Sequence, residues 1–145
     1  MPSTPESRFS QRVREGLKSQ GCAVERIENR VTLGMPDMLV GLADHFVMLE
    51  LKAITKGLAV NLSPHQVAFL TRHGRAGRRC FVLTRDEGNT KRPPSVALYS
   101  GLQAFELAQA GLRVAPIMSW PDRAVDWTAV VELLSAGFDP LKKTN

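Results

Sequence analysis

Residues 34–53 read GMPDMLVGLADHFVMLELKA, and this stretch decides the fold of the chain. Two apolar runs of strand length, 36–42 and 46–52, are separated by residues 43–45, a connection short enough for a hairpin. The two runs are therefore predicted to pair as antiparallel strands. An acid and a base, Glu50 and Lys52, interrupt the second run, and their presence in so apolar a stretch requires an explanation.

The elements on either side of the hairpin extend this prediction. Phe9, Val13 and Leu17 recur four residues apart, as on the buried face of a helix that begins after Ser3 or Thr4 and ends at Gly21. The remaining predictions are a strand at 23–30, a loop at 31–35, a helix opened by Ser63-Pro64 and ended between Gly74 and Gly77, with Val67, Leu70 and Thr71 inward, and a buried strand at 79–84. The order helix, three strands, helix, strand predicts an α/β fold with a mixed central sheet flanked by helices, in which the last strand runs parallel to its neighbour.

The second half of the chain reads as a C-terminal α/β extension. Residues 86–94 are polar and proline-rich, which is typical of a flexible loop. The elements predicted beyond this loop are a strand at 96–99, a helix at 102–110, an apolar run at 112–118 and a helix at about 125–136 with Trp127, Val130, Val131 and Leu134 inward. Neither half has a complete core alone, so we expect one unit over 1–145, with its core at about 4–85 and its extension at about 95–140.

Length, charge and cysteine content narrow the class of protein. The chain has 145 residues and a formal charge of +5, which suit one globular domain and polyanionic partners such as nucleic acid. Cys22 and Cys80 have neither the spacing of a zinc site nor that of a disulfide framework, and are expected to be buried thiols in a reducing compartment. No signal-peptide pattern or membrane-spanning run is seen, so a soluble intracellular protein is expected.

The charges of the hairpin suggest a metal site. Residues two apart in a strand share a face, so Glu50 and Lys52 lie side by side. The short turn places Asp37 opposite Glu50, and two crowded carboxylates are best explained by a divalent cation between them. Mg²⁺ takes one or two carboxylates and leaves other positions to water and phosphate, while Lys52 would stabilise a charged transition state.

A simpler interpretation is that Pro36-Asp37 forms a turn and that Glu50 and Lys52 form an ion pair on a solvated strand face. Phe46 and Met48 share that face with the two charges. Because the surface is partly apolar, the functional interpretation is favoured over the simpler one.

These residues resemble a known family. Gly34-Met35-Pro36-Asp37 followed by Glu50-Leu51-Lys52 is similar to the PD-(D/E)xK nuclease signature, and Leu62-Ser63-Pro64-His65-Gln66 opens a helix in register with it. The pattern over residues 6–84 most resembles the small virus-type replication-repair nucleases (VRR-NUC), whose stand-alone members resemble Holliday junction resolvases. The resemblance implies a restriction-endonuclease-like core in the order α-β-β-β-α-β.

The same resemblance implies roles for individual residues. Asp37 and Glu50 become metal ligands with the Leu51 carbonyl as a possible third, and Lys52 becomes the catalytic lysine. Glu6 on the first helix and Gln66 on the second would also be catalytic. Each of these two has an alternative role, because residues 3–6 and residues 63–66 both fit the capping box of a helix N-terminus.

The basic residues offer a DNA-binding surface. A dense cluster lies at 72–79, and two more cations follow in the next loop; the members are Arg72, Arg75, Arg78, Arg79, Lys91 and Arg92. They either contact a phosphate backbone or form an ordinary solvated face. The three histidines are scattered and are expected to be surface residues, while Trp120 and Trp127 are expected to contact the core or a second subunit.

The sequence therefore predicts a Mg²⁺-dependent endonuclease that hydrolyses DNA phosphodiester bonds, with branched DNA such as the Holliday junction as its substrate. Mn²⁺ should substitute for Mg²⁺, and no organic cofactor or membrane contact is expected. Symmetric cutting of two strands requires a homodimer. The expected location is the cytoplasm, or the host cytoplasm if the resemblance reflects a phage origin. The alternatives are an inactive nuclease-fold module that binds DNA or another partner, and a restriction-type endonuclease.

Overall fold

The first helix, α1 (Pro5–Ser19), begins where the sequence predicts and buries the predicted face. In the computed structural model, which describes residues 3–28 and 32–136, Thr4 is the N-cap and its hydroxyl accepts a hydrogen bond from the Ser7 N–H at 3.0 Å. Phe9, Val13 and Leu17 are at most 1% exposed. The apolar period of four residues thus fixes which side of α1 packs on the sheet.

The central hairpin forms, but its turn is shorter than the predicted connection at residues 43–45, because the Leu42 N–H bonds to the His45 carbonyl at 2.8 Å. Strand β1 (Ala23–Arg26) pairs antiparallel with β2 (Met38–Gly41), which pairs antiparallel with β3 (Phe46–Ile54). In the β2–β3 ladder, Gly41 faces Phe46 and Met38 faces Leu49. The short turn between these strands sets that register, and the register determines which residues meet at the open end of the hairpin.

The crossover through the second helix also follows the prediction. Helix α2 (Pro64–Arg75) begins after the N-cap Ser63 and leads to β4 (Cys80–Asp86), which is parallel to β3. Pro64 suits the first helical position, because its missing N–H would have no partner there.

The extension adds to the same sheet. Strand β5 (Ser95–Ser100) pairs antiparallel with β4, and β6 (Met118–Pro121) with β5, giving a six-stranded sheet in the order β1-β2-β3-β4-β5-β6. Helices α3 (Ala104–Ala110) and α4 (Trp127–Ala136) complete the chain, with 3₁₀ turns at Gly101–Gln103, Gly111–Arg113 and Asp122–Ala124.

The sheet separates two apolar clusters, and each contains residues from both halves of the chain. On one face, α1 and α4 pack over the sheet, so that Leu17 and Leu134 belong to one cluster. On the other face, α2 and α3 cover it, with Leu70 and Leu107 in the second cluster. The result is a helix, sheet, helix sandwich that confirms the predicted fold class.

Several predicted boundaries shift for identifiable reasons. Strand β1 ends at Arg26 because β2 begins opposite it at Met38; residues 29–31 lie outside the described part of the chain. Strand β3 continues to Ile54 because the parallel ladder with β4 extends that far. The apolar run 112–118 begins in a 3₁₀ turn that contains Leu112 and ends at Met118, the first residue of β6.

Two side-chain predictions are also refined. Phe69 is 6% exposed and belongs to the inner face of α2, whereas Thr71 is only half-buried. Cys22 and Cys80 are buried free thiols, as predicted. Within the described residues, the helices are all too short or too polar to span a bilayer.

Candidate active site

Asp37 lies at the open end of the β2–β3 hairpin, one residue before β2 begins. Because Met38 faces Leu49, the next position outward places Asp37 opposite Glu50. Asp37 Oδ2 accepts a hydrogen bond from the Leu51 N–H at 2.8 Å. The Asp37 carboxylate thus pairs with the β3 backbone just beyond the end of the β2–β3 ladder. Asp37 and Glu50 lie opposite each other, as predicted.

Glu50 is the most unusual ionisable group of the site. Its side chain points from the middle of β3 towards the α2 face, and the residue is only 2% exposed. Burial, followed by the neighbouring charge of Asp37, raises the pKa of Glu50 to about 9, and the Lys52 ammonium opposes this rise without cancelling it. At neutral pH the carboxyl is therefore protonated unless a further positive charge lies beside it.

Lys52 stands two residues further along β3 on the same face. Its Nζ lies 3.7 Å from Glu50 Oε1, and its side chain is 15% exposed. At this distance the two groups interact electrostatically, without the short contact of a strong ion pair. The side chain keeps some contact with solvent, since it lines a cleft beside Lys56.

Gln66 forms the predicted helix cap and also contacts the buried carboxyl of Glu50. Its Oε1 accepts a hydrogen bond from the Ser63 N–H at 3.0 Å, and the Ser63 hydroxyl accepts one from the Gln66 N–H at 3.1 Å, which completes a capping box. Its Nε2 donates to Glu50 Oε1 at 3.1 Å. The cap fixes the amide so that its nitrogen faces the buried carboxyl.

Gly34 explains why the Asp37 loop and the α2 N-terminus lie together. Its φ is +83°, and a Cβ atom built there would lie 2.2 Å from the His65 backbone oxygen and 2.8 Å from the Gln66 nitrogen. Only glycine combines this conformation with so close a backbone approach. The GxPD motif therefore positions Asp37 and docks Gln66 at the same time.

Glu6 does not have the capping role that was one of its two predicted roles. The capping box of α1 joins Thr4 to Ser7, so Glu6 is not the capping partner, and that alternative is wrong. The N-cap is one residue later than a box over residues 3–6 requires. Glu6 is exposed at the rim of the site, and its charge makes only a minor contribution to raising the pKa of Glu50.

The donor set fits a hard divalent cation. Among the described residues, no group of three or more His, Cys, Asp or Glu side chains is arranged to hold a metal ion. Asp37 and Glu50 supply two carboxylates, which is the number Mg²⁺ commonly takes from a protein. The Leu51 carbonyl is a possible third donor, since the N–H and C=O of a strand residue point to the same side and its N–H faces Asp37. A cation there would also supply the positive charge that the buried Glu50 lacks.

Two clefts flank the site, and they are lined by basic side chains that the sequence analysis did not identify. A cleft of about 580 Å³ reaches Asp37 and is lined by Arg14, Lys18 and Arg26. A second, of about 500 Å³, reaches Lys52 and is lined by Lys56. Residues 11, 14 and 18 of α1 share one side of the helix, and this spacing is the signal that could have identified the first group.

The predicted basic cluster does not join the site. Gln66 lies at the start of α2 and Arg75 at its end, about 14 Å away at the rise of an α-helix. Arg79 lies beside the beginning of β3, where its carbonyl accepts from the Met48 N–H at 3.1 Å. Its guanidinium contacts His45 Nε2 at 2.6 Å and also the Ser135 carbonyl. The 72–79 cluster thus lies at the opposite end of the sheet from Lys52.

The two cations of the β4–β5 loop lie at the site end of the sheet but differ from each other. Arg92 Nε donates to Asp86 Oδ2 at 2.6 Å, and its Nη2 donates to the Gly57 carbonyl at 3.2 Å. These bonds give Arg92 a structural role and hold the loop that was predicted to be flexible. Lys91 is exposed, so its side chain is available to a ligand.

Two solved structures are similar to the chain in fold. One is the Holliday junction resolvase Hjc of Archaeoglobus fulgidus, with 20% identity and a TM-score of 0.49 over 64% of this chain and 73% of the resolvase. The other is a VRR_NUC domain, with 23% identity and a TM-score of 0.49 over 74% of this chain and 98% of that domain. No protein-family model and no curated protein sequence matches the chain.

Proposed function

We propose that the chain is a metal-dependent DNA endonuclease of the PD-(D/E)xK class, related to the VRR-NUC nucleases and Holliday junction resolvases. One observation carries the proposal. The buried Glu50 lies beside Asp37, with the Lys52 ammonium 3.7 Å away and the Gln66 amide 3.1 Å away. Burying Glu50 beside a second, half-buried acid is unfavourable for folding, and a cation-binding role explains why the chain has these acids there.

Each residue has a distinct part in the proposed reaction. Asp37 and Glu50, with the Leu51 carbonyl, would hold Mg²⁺ or Mn²⁺. When bound, such an ion lowers the pKa of a water molecule and offsets negative charge on the phosphate. Lys52 stabilises the charge that builds on the attacked phosphate, since its ammonium lies next to the carboxylates and its side chain keeps some contact with solvent. Gln66 keeps Glu50 oriented by donating to one of its oxygens.

Branched DNA is the proposed substrate, and a homodimer the proposed active form. Resolution of a four-way junction requires two symmetric cuts, which a two-fold symmetric pair of sites supplies. Light scattering at micromolar concentration tests the dimer directly. A monomer that nevertheless cuts junctions in paired positions would exclude this form.

Cleavage assays test the activity. End-labelled four-way junction, flap, linear duplex and single strand are incubated with Mg²⁺, Mn²⁺ or EDTA. Wild-type protein should nick the junction at paired positions in either metal and not in EDTA, while Asp37→Asn, Glu50→Gln and Lys52→Met should each lose at least about a hundredfold in rate, or about 2.7 kcal/mol of transition-state stabilisation. Glu106→Gln, an exposed acid on α3, is the control for loss of one negative charge.

The outcomes separate the candidate functions. Cutting of another DNA form retains the chemistry and excludes the resolvase. DNA binding without cleavage in either metal would instead indicate an inactive nuclease-fold module. Full activity of Asp37→Asn and Lys52→Met would refute the assignment of the site.

A further inference from the structure

The cleft beside Asp37 extends away from the site along α1. It is lined on the helix side by Gln11, Arg14 and Lys18, and on the opposite side by Arg26 at the end of β1. It also reaches Asp37, so it is continuous with the candidate active site. A ligand in this cleft would therefore arrive at the carboxylates along the helix axis.

The helix presents its polar side chains to this cleft as a row. At 100° per residue, Gln11, Arg14 and Lys18 lie within about 60° of one another on the surface of α1. The buried positions Phe9 and Leu17 occupy a different side of the helix. Arg14 and Lys18 are one helical turn apart, so their cationic groups point into the cleft from successive turns.

Two cations of the cleft, Arg14 and Lys18, differ from the paired arginines Arg12 and Arg85. Arg12 and Arg85 both bond to Asp122, at 2.7 Å and 3.1 Å. By contrast, neither Arg14 nor Lys18 forms an ion pair anywhere within residues 3–28 and 32–136.

Arg26 has only a weak attachment. Its Nε lies 3.8 Å from Glu28 Oε1, and both side chains are mostly exposed, so water screens the pair. A polyanion can therefore bind these three cations without breaking a buried interaction.

The acids of the cleft lie mainly at its active-site end. Asp37 and Glu6 border the site itself. Glu15 is the exception, because it lies further along α1, where it accepts a hydrogen bond from Gln11 at 3.3 Å. From Glu6 to Lys18 the helix rises about 18 Å. One strand of duplex DNA advances about 3.4 Å per phosphate, so this length matches about five phosphates.

We infer that Arg14, Lys18 and Arg26 bind the phosphate backbone of the DNA strand that leads into the active site. This inference rests on the proposed nuclease function and adds a direction to it: the strand runs along α1 for about five nucleotides on one side of the scissile phosphate. Contacts of this kind fix the position of DNA without reading its sequence. The conspicuous basic cluster at 72–79 does not contribute to this path.

Salt-dependent binding tests the inference without relying on cleavage. The dissociation constant of a labelled duplex and of a four-way junction is measured by fluorescence anisotropy in EDTA, between 50 and 200 mM salt. The double variant Arg14→Gln/Lys18→Gln is compared with wild type and with Arg75→Gln/Arg78→Gln. The second pair removes the same charge from exposed positions at the far end of α2, and thermal melting checks that both variants are folded.

The expected result is a change in salt slope confined to the first variant. Each phosphate contact contributes about 0.9 to the slope of log affinity against log salt, so loss of two contacts should lower it by about 1.8. Raising salt from 50 to 200 mM should then weaken wild-type binding about twelvefold more than binding by Arg14→Gln/Lys18→Gln. The Arg75→Gln/Arg78→Gln protein should retain the wild-type slope.

Other outcomes would overturn the inference in distinguishable ways. If wild type cuts DNA in Mg²⁺ while Arg14→Gln/Lys18→Gln keeps the wild-type slope, the path along α1 is wrong and the nuclease function stands. The same conclusion follows if only Arg75→Gln/Arg78→Gln lowers the slope. If wild type neither binds nor cuts any of the DNA forms, the proposed function fails as well as the path.

Discussion

The close contact between Gly34 and the start of α2 predicts that an alanine at position 34 destabilises the protein by backbone strain and by steric collision. Another glycine, Gly21, allows the effect of the strain to be measured by itself. Gly34 has a φ of +83°, and an added Cβ would collide with backbone atoms of His65 and Gln66. Gly21 has a φ of +86°, and no described atom lies within 4 Å of its added Cβ. Gly21→Ala therefore introduces the backbone strain alone, and Gly34→Ala introduces the strain and the collision.

The magnitudes follow from these two terms. An L-residue held in the left-handed region costs about 1–2 kcal/mol. Overpacking against atoms that cannot rotate away adds about 1–3 kcal/mol. The free energy of unfolding should thus fall by about 1–2 kcal/mol in Gly21→Ala and by about 2–5 kcal/mol in Gly34→Ala. For a chain of this size, each kcal/mol of the difference lowers Tm by about 2–4 °C.

Urea unfolding followed by circular dichroism measures the stability of both variants, and cleavage of a four-way junction measures the site. Gly34→Ala should also lose cleavage at temperatures where it is fully folded, since the collision displaces Gln66 from Glu50 or Asp37 from its place. Gly21→Ala should cut at the wild-type rate. Equal stability losses in the two variants, or wild-type cleavage by Gly34→Ala, would refute the argument that backbone contact at Gly34 assembles the site.

Two further predictions concern Gln66 and the buried acid Asp86. Gln66→Glu keeps the oxygen that accepts from the Ser63 N–H but replaces the amide that donates to Glu50. Urea unfolding should therefore show a smaller stability loss than in Gln66→Ala, while the cleavage rate falls about tenfold or more. Cleavage by Gln66→Glu at the wild-type rate would show that the amide is not part of the site. Burial raises the pKa of Asp86, but the hydrogen bond from Arg92 and the other interactions outweigh it, so the net pKa lies below its ordinary value of 3.8. This acid therefore stabilises the fold above about pH 4 and loses that contribution as the pH falls further. The free energy of unfolding of Asp86→Asn should decline less between pH 5 and pH 3 than that of wild type. An equal decline in the two proteins would contradict this prediction.

The sequence predicted the existence of the hairpin at the candidate site because local rules determine it. Alternation places Glu50 and Lys52 on one face, but the register depends on the length of the turn. The predicted three-residue turn would pair Leu42 with Phe46 and Asp37 with Leu51. In the structure the Leu42 N–H bonds to the His45 carbonyl, so the turn is shorter and Asp37 lies opposite Glu50.

The pairing of Gln66 with Glu50 is different in kind. It depends on the tertiary contact between Gly34 and the start of α2, and the sequence does not show that these two segments lie close together.

Other features depend on choices that a sequence leaves open. The N-cap of α1 is Thr4 and not Ser3, and this shift by one residue moves the capping partner from Glu6 to Ser7. The density of arginines at 72–79 says nothing about which end of α2 faces the site. Arg14 and Lys18 were overlooked because their significance comes from the cleft that α1 forms with β1, and no local pattern encodes that cleft.

The division of the chain at the β4–β5 loop has a practical consequence. Every residue of the candidate active site precedes position 67, whereas both apolar clusters draw on residues beyond position 95. The chain could be divided within residues 87–94 into two polypeptides. The N-terminal piece would contain the candidate active-site residues, and the C-terminal piece would contain the other residues of both apolar clusters. The proposed cleavage would then depend on the two pieces meeting, so the fold is suited to a split reporter whose signal is a cut strand.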